Sequence, residues 1–272
     1  MICFPNAKIN LGLQIIGKRA DGFHNLASIF YPVAWCDALE MVIADEFEFS
    51  QSGIFIQGNS EDNLCVKVYR SLKQIFDLPN VKIHLYKNIP IGAGLGGGSA
   101  DGAFAMKLLN DLFDLKLSNC EMEELVKPFG SDCAFFIENV PTLAIKKGDQ
   151  FEHIDFSLKG KYLVLIYPAL FISTKEAYSG VQPRMPIIDL KNIGALPIEN
   201  WQRNLTNDFE HHLLVAHPLL LEIKNKLYDL GATYSSMSGS GSTMYGIFDN
   251  EIDLVSHFPA NYRIWQGWAE KI

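Results

Sequence analysis

The sequence predicts an α+β fold in two domains. Alternating patterns typical of strands and three-to-four-residue patterns typical of helices follow each other along the chain, without a regular βαβ repeat. The 272 residues, 48% of them hydrophobic, suffice for one large or two moderate cores. A boundary expected near residues 157–160 divides the chain into residues 1–157 and residues 158–272.

The first predicted element is a strand over residues 7–15. Its odd-numbered residues are apolar, so one face belongs to the core and the other carries Lys8 and Asn10, two residues apart. A lone lysine on a strand is more often a solvated edge charge. Asn10 beside it favours a site, but these residues alone leave both interpretations open.

Periodicity and turn residues place the remaining elements. Before residue 157 we expect strands at 27–33, 38–43, 54–56 and 81–86, and helices that begin after Asn63, after a glycine-rich segment, and at a capping box formed by Ser118 and Glu121. After residue 157 we expect strands at 162–167, 233–237, 243–248 and 262–268, and helices from 173, from 208, over 218–230 and over 251–258.

Five glycines lie in the segment 88–101, between the strand at 81–86 and the helix that follows. Glycines let backbone N–H groups approach a ligand closely, and a helix start leaves such groups unpaired and carries a partial positive charge. The segment therefore predicts an anion site, above all for phosphate. A plain linker is disfavoured, because linkers are not usually fused to both a strand and a helix.

The spacing of these glycines does not fit three familiar phosphate loops. Gly92, Gly94 and Gly97 match G-x-G-x-x-G, but a second helix follows where a dinucleotide fold needs a strand. No lysine follows the glycines as in a Walker loop, and the H-R-D and D-F-G motifs of protein kinases do not occur in the sequence.

Charge and composition disfavour several other classes of protein. The net charge is -8, the pI is near 5.4 and no run of Lys or Arg exceeds two residues, so nucleic-acid binding is not expected. No apolar run approaches the ~20 residues that span a bilayer, and the N-terminus lacks the basic region of a signal peptide. Five scattered cysteines without a C-x-x-C pair predict a reduced, cytoplasmic chain.

Asp132 lies among small and apolar residues. It can cap a short helix or, with so few charged neighbours, serve as a base, and the surrounding residues do not decide between these roles. His211, His212 and His217 share a predicted helix. Since no cysteine or acid cluster completes a metal set with them, surface or capping roles are favoured.

Three segments together resemble the GHMP small-molecule kinases, namely residues 5–11, the glycine-rich residues 90–99 and a Ser/Gly turn at 237–242. Residues 19–24 and 130–132 are similar in particular to the branch of that family that phosphorylates cytidyl-diphosphate methylerythritol. The resemblance extends over nearly the whole chain, with the five segments in the expected order.

The resemblance implies an ATP- and Mg²⁺-dependent kinase of the non-mevalonate isoprenoid pathway that acts on the 2-hydroxyl of this substrate. It implies a two-domain α+β kinase with the active site in the interdomain cleft, the N-terminal domain binding nucleotide and the C-terminal domain binding substrate. Lys8 and Asp132 match the catalytic lysine and aspartate of the family. Asp132 would be the base, and Lys8 would orient it and offset charge on the transferred group.

Further positions match ligand-binding positions of the family. Those implied to bind ATP are Asn63 and Lys87 near the adenine and, around the phosphates, Pro90, Ile91, Gly92, Ala93, Gly94, Leu95, Gly96, Gly97, Gly98, Ser99 and Ala100. Those implied to bind substrate are Phe23, His24 and Tyr178 around the cytosine, and Asn10 and Thr174 near its polar groups. The ligands of Mg²⁺ stay unassigned.

The chain departs from the family pattern at three places. Phe23 stands where related chains commonly have Tyr, Ala100 replaces a frequent Ser, and Ser131-Asp132-Cys133-Ala134 replaces Ala-Asp-Val-Pro.

Two other functions stay open beside this one. A kinase of the same family for mevalonate derivatives, homoserine or a sugar is disfavoured by residues 19–24, and an inactive nucleotide-binding sensor is disfavoured by the presence of both Lys8 and Asp132. We expect a monomer or weak homodimer with a small-molecule substrate and no nucleic-acid or membrane partner.

Overall fold

The computed structural model describes residues 1–186 and 188–270. These residues form an α+β fold, as predicted. The strands are β1 (Ile2–Cys3), β2 (Asn6–Lys18), β3 (His24–Cys36), β4 (Ala38–Ile43), β5 (Glu48–Gly53), β6 (Val81–Lys87), β7 (Thr142–Lys146), β8 (Gln150–His153), β9 (Tyr162–Tyr167), β10 (Tyr234–Met237), β11 (Met244–Phe248) and β12 (Arg263–Trp268). The α-helices are α1 (Leu64–Phe76), α2 (Gly97–Leu112), α3 (Asn119–Val126), α4 (Phe135–Glu138), α5 (Thr174–Ser179), α6 (Trp201–Asn204), α7 (Glu210–Ala216) and α8 (Pro218–Asp229).

Two compact units share the chain, and each is built from several separate stretches. The first unit contains Met1–Ala7, Trp35–Ile91 and Gly96–Val140, and the second contains Lys8–Ala34, Gly92–Leu95 and Pro141–Ile272. The single boundary expected near residue 157 stays a prediction.

The first unit contains a four-stranded sheet in the order β1-β4-β6-β5. Strands β5 and β6 pair in parallel, with α1 as the connection between them. Helix α1 starts after Asn63, whose side-chain oxygen accepts the N–H of Cys65 at 2.9 Å and so caps it. Helix α1 packs on α2, and Val68, Leu72 and Met106 of these helices are fully buried. The predicted capping box of Ser118 and Glu121 is present at the start of α3.

The second unit contains the sheet β10-β11-β9-β12 and most of the sheet β2-β3-β7-β8. Helix α8 packs on β10 and β11, and its Leu220, Ile223 and Leu227 join a large apolar cluster with Leu13 and Ile15 of β2. This core explains the length of β2, because ten of its thirteen residues are buried and neither face is left to solvent.

Two expectations about these elements are wrong. Residues 54–56 are not a strand; the neighbouring strand is β5, whose polar sequence Glu-Phe-Ser-Gln-Ser-Gly hides its period. The helix expected over 251–258 is reduced to a 3₁₀ turn at Val255–His257. Here the Asp253 carboxylate accepts the N–H of Val255 at 3.1 Å, a local bond that competes with helix formation. The polar face of β2, for which the sequence left both interpretations open, is buried, as described below. Within residues 1–186 and 188–270, the helices are all too short or too polar to cross a membrane.

Candidate active site

The glycine-rich segment joins the end of β6 at Lys87 to the start of α2 at Gly97, as the sequence predicts. Gly92, Gly94 and Gly96 have positive φ angles of 64°, 78° and 72°, which side chains on L-residues disfavour. Gly96 is the N-cap of α2 and provides no side-chain hydrogen bond. The first N–H groups of this 16-residue helix are therefore without a side-chain cap, the arrangement that binds an anion.

The middle of this loop, residues 92–95, is held by neutral hydrogen bonds in the second unit. The hydroxyl of Ser238 donates to the carbonyl of Gly94 at 2.8 Å, and the backbone N–H of Lys8 donates to the carbonyl of Leu95 at 2.9 Å. A Cβ on Gly94 would lie 2.0 Å from the Ser238 carbonyl oxygen, so glycine is required there. The Ser/Gly turn at 237–242 thus holds the loop backbone.

Lys8 and Asn10 lie together in a buried polar network of the second unit. The Lys8 ammonium donates to Asn10 Oδ1 at 2.6 Å and lies 4.2 Å from the centre of the Phe30 ring. The amide of Asn10 donates to Ser28 Oγ at 2.8 Å, and that hydroxyl donates to the carbonyl of Gly12 at 2.5 Å. Since Lys8 is only 4% exposed, its interpretation as a solvated edge charge is wrong.

Asp132 lies in the turn at 131–134 of the first unit and is half-buried. The helix that follows, α4, has Ala134 as its N-cap and no side-chain cap. The N-cap residue of α4 is thus Ala134 rather than Asp132. Cys133 beside it is buried, and burial raises the pKa of its thiol to about 11, so it stays protonated.

Lys87 lies in a buried triad with two acids that sequence reasoning missed. Its ammonium donates to Asp101 Oδ2 at 2.6 Å and also contacts Asp37 Oδ2. Burial lowers the pKa of Lys87, but attraction to Asp101 and Asp37 outweighs it and leaves the pKa raised. Burial, together with the Asp37 charge and against that of Lys87, raises the pKa of Asp101 to about 8. The sequence contains one sign of this triad. Asp101 lies within the largely apolar helix α2, and a buried acid there requires a partner.

Asn63 lines a cavity of about 250 Å³ in the first unit, together with Phe49, Phe55 and Ile56. The Phe55 ring is 73% exposed, which is unusual for an aromatic side chain. The segment carrying it is joined to β6 by a hydrogen bond from Ile54 N–H to the carbonyl of Lys87 at 2.7 Å. Of the two residues expected near adenine, Asn63 thus lines a cavity with this segment and Lys87 is hydrogen-bonded to it, and Phe55 was missed because its strand was misplaced.

The residues expected around the substrate all lie in the second unit. The rings of His24 and Tyr178 are stacked, with centroids 5.0 Å apart and planes at 23°. Thr174 lies one turn before Tyr178, in the first turn of α5. Phe23 is 60% exposed, and its ring centre lies 5.3 Å from the Lys147 ammonium. The structure therefore brings together His24 and Tyr178 and places Phe23 beside a cation that sequence reasoning missed.

Comparison with known proteins gives consistent results. A family model described as GHMP kinases N terminal domain matches residues 63–139, and one described as GHMP kinases C terminal matches residues 189–262. A protein of Cytophaga hutchinsonii named 4-diphosphocytidyl-2-C-methyl-D-erythritol kinase is 52% identical over 262 residues, covering 96% of this chain and 97% of that protein. One of the same name from Parabacteroides distasonis is 49% identical and covers 98% and 99% of the two chains.

Two solved structures resemble this chain. A crystal structure of 4-(cytidine 5'-diphospho)-2C-methyl-D-erythritol kinase has a TM-score of 0.78 at 27% identity, covering 91% of this chain and 90% of that one. Homoserine kinase from Cytophaga hutchinsonii has a TM-score of 0.66 at 16% identity, covering 97% and 95%, and so shares the fold alone.

Proposed function

Since the chain belongs to the 4-diphosphocytidyl-2-C-methyl-D-erythritol kinases of the GHMP kinase family, we propose that Lys8, Asp132 and the glycine loop carry out its phosphoryl transfer. The protein is an ATP-dependent small-molecule kinase that phosphorylates the 2-hydroxyl of 4-diphosphocytidyl-2-C-methyl-D-erythritol in the non-mevalonate isoprenoid pathway. The observation that supports these roles best is the uncapped start of α2 behind three glycines with positive φ.

In the proposed nucleotide site the phosphates bind at the start of α2. The N–H groups of Gly97, Gly98 and Ser99 are the donors, and a Cβ on Gly98 would meet nothing within 4 Å, so there is room beside the backbone. Residues 90–100 line the phosphates. The adenine takes the cavity beside Asn63, where the exposed Phe55 ring offers a stacking surface.

Mg²⁺, when bound with ATP, would supply charge neutralisation at the phosphates. This cation commonly keeps its waters and binds phosphate oxygens with only one or two protein ligands. Among residues 1–186 and 188–270, no group of three His, Cys, Asp or Glu side chains that could hold a metal is present.

Asp132 acts as the general base and Lys8 as the stabilising cation. The transition state of phosphoryl transfer is loose, so most of the rate comes from positioning and from charge stabilisation. A half-buried carboxylate can accept the proton of the acceptor hydroxyl as it leaves. The Lys8 ammonium, oriented by Asn10 and Phe30, offsets charge on the transferred group.

The cytidyl end of the substrate binds beside the His24–Tyr178 stack. An aromatic surface holds a base by stacking but tolerates any base, so the choice of cytosine falls to hydrogen bonds, for which the His24 backbone is the candidate. The exposed Phe23 ring supplies a second stacking surface, and Asn10 and Thr174 supply polar contacts. We also expect a cytoplasmic monomer or weak homodimer; the five free thiols support a reducing compartment.

ATP consumption over a panel of acceptors tests this proposal. Purified protein is assayed with the cytidyl substrate, mevalonate phosphate, homoserine and galactose, and consumption is expected with the first alone. Asp132→Asn is the matched control: it should bind ATP normally but lose at least ~10²-fold in turnover. Consumption with another acceptor, or ATP binding without consumption, would overturn the proposed function. Normal turnover in Asp132→Asn would remove Asp132 from its role.

A further inference from the structure

Three charged side chains are buried together behind the glycine loop, and the mechanism above does not use them. Asp37 lies between β3 and β4, Lys87 ends β6, and Asp101 is the fifth residue of α2. Each is at most 2% exposed. Burying an ion costs several kcal/mol even when it is paired, so a triad of this kind gives little net stability by itself. Its position therefore needs another explanation.

Asp37 fixes the beginning of the loop. Its Oδ1 accepts the backbone N–H groups of Asn88, at 2.5 Å, and of Ile89, at 2.8 Å. These are the first two residues after β6, so a charged acceptor determines the direction in which the chain leaves the sheet. The other oxygen of Asp37 binds the Lys87 ammonium.

Lys87 and Asp101 fix the end of the loop. The ammonium donates to Asp101 Oδ2 at 2.6 Å, one turn inside α2. A Cβ on Gly97 would lie 3.0 Å from the Lys87 ammonium and 2.9 Å from Cγ2 of Ile89, so the first residue of α2 is in close contact with both. The same lysine therefore connects the residues before the loop to the helix after it.

We propose that Asp37, Lys87 and Asp101 are positioning residues that fix the start of α2 relative to residues 88 and 89, and thereby set the geometry in which the loop binds nucleotide phosphates. The proposal rests on the proposed function, because it requires that phosphates bind at the start of α2. Lys87 was expected near the adenine, but in this proposal all three side chains act on the loop and not on the ligand.

Nucleotide affinity in folded Asp37 variants tests the proposal. Asp37→Ala removes both the acceptor for the two N–H groups and the partner of Lys87, whereas Asp37→Asn keeps an acceptor of the same size. The Kd of ADP with Mg²⁺ is measured by calorimetry, at a temperature where circular dichroism shows each variant folded. We expect the Kd to rise about tenfold or more in Asp37→Ala and by less in Asp37→Asn, while the KM of the cytidyl substrate stays within about twofold.

A matched control separates positioning from loss of stability. Leu72→Ala removes a fully buried side chain from α1 in the same unit, so it should lower the unfolding free energy and leave the Kd of ADP unchanged. A wild-type Kd in folded Asp37→Ala overturns the proposal, as does an equal rise in Leu72→Ala. If Asp37→Ala does not fold, Asp37→Asn decides alone, and a wild-type Kd there overturns the proposal. Failure of the wild-type protein itself to bind ADP would instead overturn the nucleotide site.

Discussion

Two lysines of almost equal burial, Lys8 and Lys87, are held by different kinds of partner. Lys8 is 4% exposed and Lys87 is 2% exposed. Lys87 donates to two carboxylates, whereas Lys8 donates to the amide oxygen of Asn10 and lies over the Phe30 ring. Carboxylates neutralise an ammonium. The Asn10 amide accepts a hydrogen bond from the Lys8 ammonium and the Phe30 ring makes a cation–π contact with it, so these two contacts fix the direction in which Lys8 presents its charge.

We expect the two side chains to have different roles. Lys87 should matter mainly for the folded state and for the geometry of the loop, and Lys8 mainly for the rate of the reaction. Burial alone does not distinguish these roles, because the two side chains are almost equally buried. Variants of the two lysines in which stability and turnover are measured separately test this difference.

The largest effect is expected from Lys87→Met. Removing the ammonium leaves the buried Asp37 carboxylate without a cation and Asp101 without its hydrogen-bond donor, and breaking a buried pair in this way costs about 3–5 kcal/mol. Urea unfolding monitored by circular dichroism should show this loss. Lys8→Met, measured in parallel, should lose much less. Equal losses in the two variants would contradict the comparison.

The next effect is on turnover in Lys8→Met. If the ammonium acts mainly in the transition state, kcat and kcat/KM should fall alike, by about 10²–10³-fold, as for the loss of one preorganised donor. Initial rates with ATP and the cytidyl substrate measure both constants, with the folded fraction checked by circular dichroism. A large rise in KM at unchanged kcat would make Lys8 a binding charge instead.

A smaller effect is expected in the pH dependence of Asp101→Asn. The pKa of Asp101 is about 8 in the folded protein against an ordinary value of 3.8, so between these values the folded state keeps a proton that the unfolded chain has released. Raising the pH across this window therefore destabilises the wild type relative to the variant, which cannot titrate there. Urea unfolding at pH 5 and pH 8 should show the variant gaining stability relative to wild type. A constant difference would contradict the raised pKa.

The smallest effect is expected from Ser28→Ala. The hydroxyl of Ser28 bonds both the Asn10 amide and the Gly12 carbonyl and so directs the amide oxygen toward Lys8. Losing one neutral hydrogen bond costs about 0.5–1.5 kcal/mol, so kcat should fall only about two- to tenfold. Steady-state rates at saturating ATP measure this. Unchanged turnover would show that the Lys8 ammonium does not need this orientation.

Local patterns in the sequence predicted the parts of this fold that depend on neighbouring residues. The alternation in β2, the capping box of α3 and the strand–loop–helix around the glycines are of this kind. The expected strands 38–43 and 162–167 match β4 and β9 to the residue. The helix over 251–258 failed because the Asp253 side chain forms a turn that periodicity does not register.

The candidate site was harder to predict from the sequence where it depends on contacts between residues that are far apart in the chain. Lys8 and Asn10 are two residues apart on one strand, so their contact could be expected. Asp37 lies 50 residues from its partner Lys87, and only the pairing of β4 with β6 brings them together. The buried triad therefore becomes visible only once the sheet order is known.

The division of the chain also limits how this enzyme can exchange parts with its relatives. The second unit contains residues 8–34 and 92–95 as well as the stretch from 141 onward. A chimera that joins residues 1–157 of one homologue to residues 158–272 of another would therefore build its second unit from two parents. The strands carrying Lys8 and His24 would come from one parent, and the helix carrying Tyr178 from the other. Recombination between residues 157 and 158 is thus expected to disturb the His24–Tyr178 stack, so this unit is inherited intact only when nearly the whole coding sequence is.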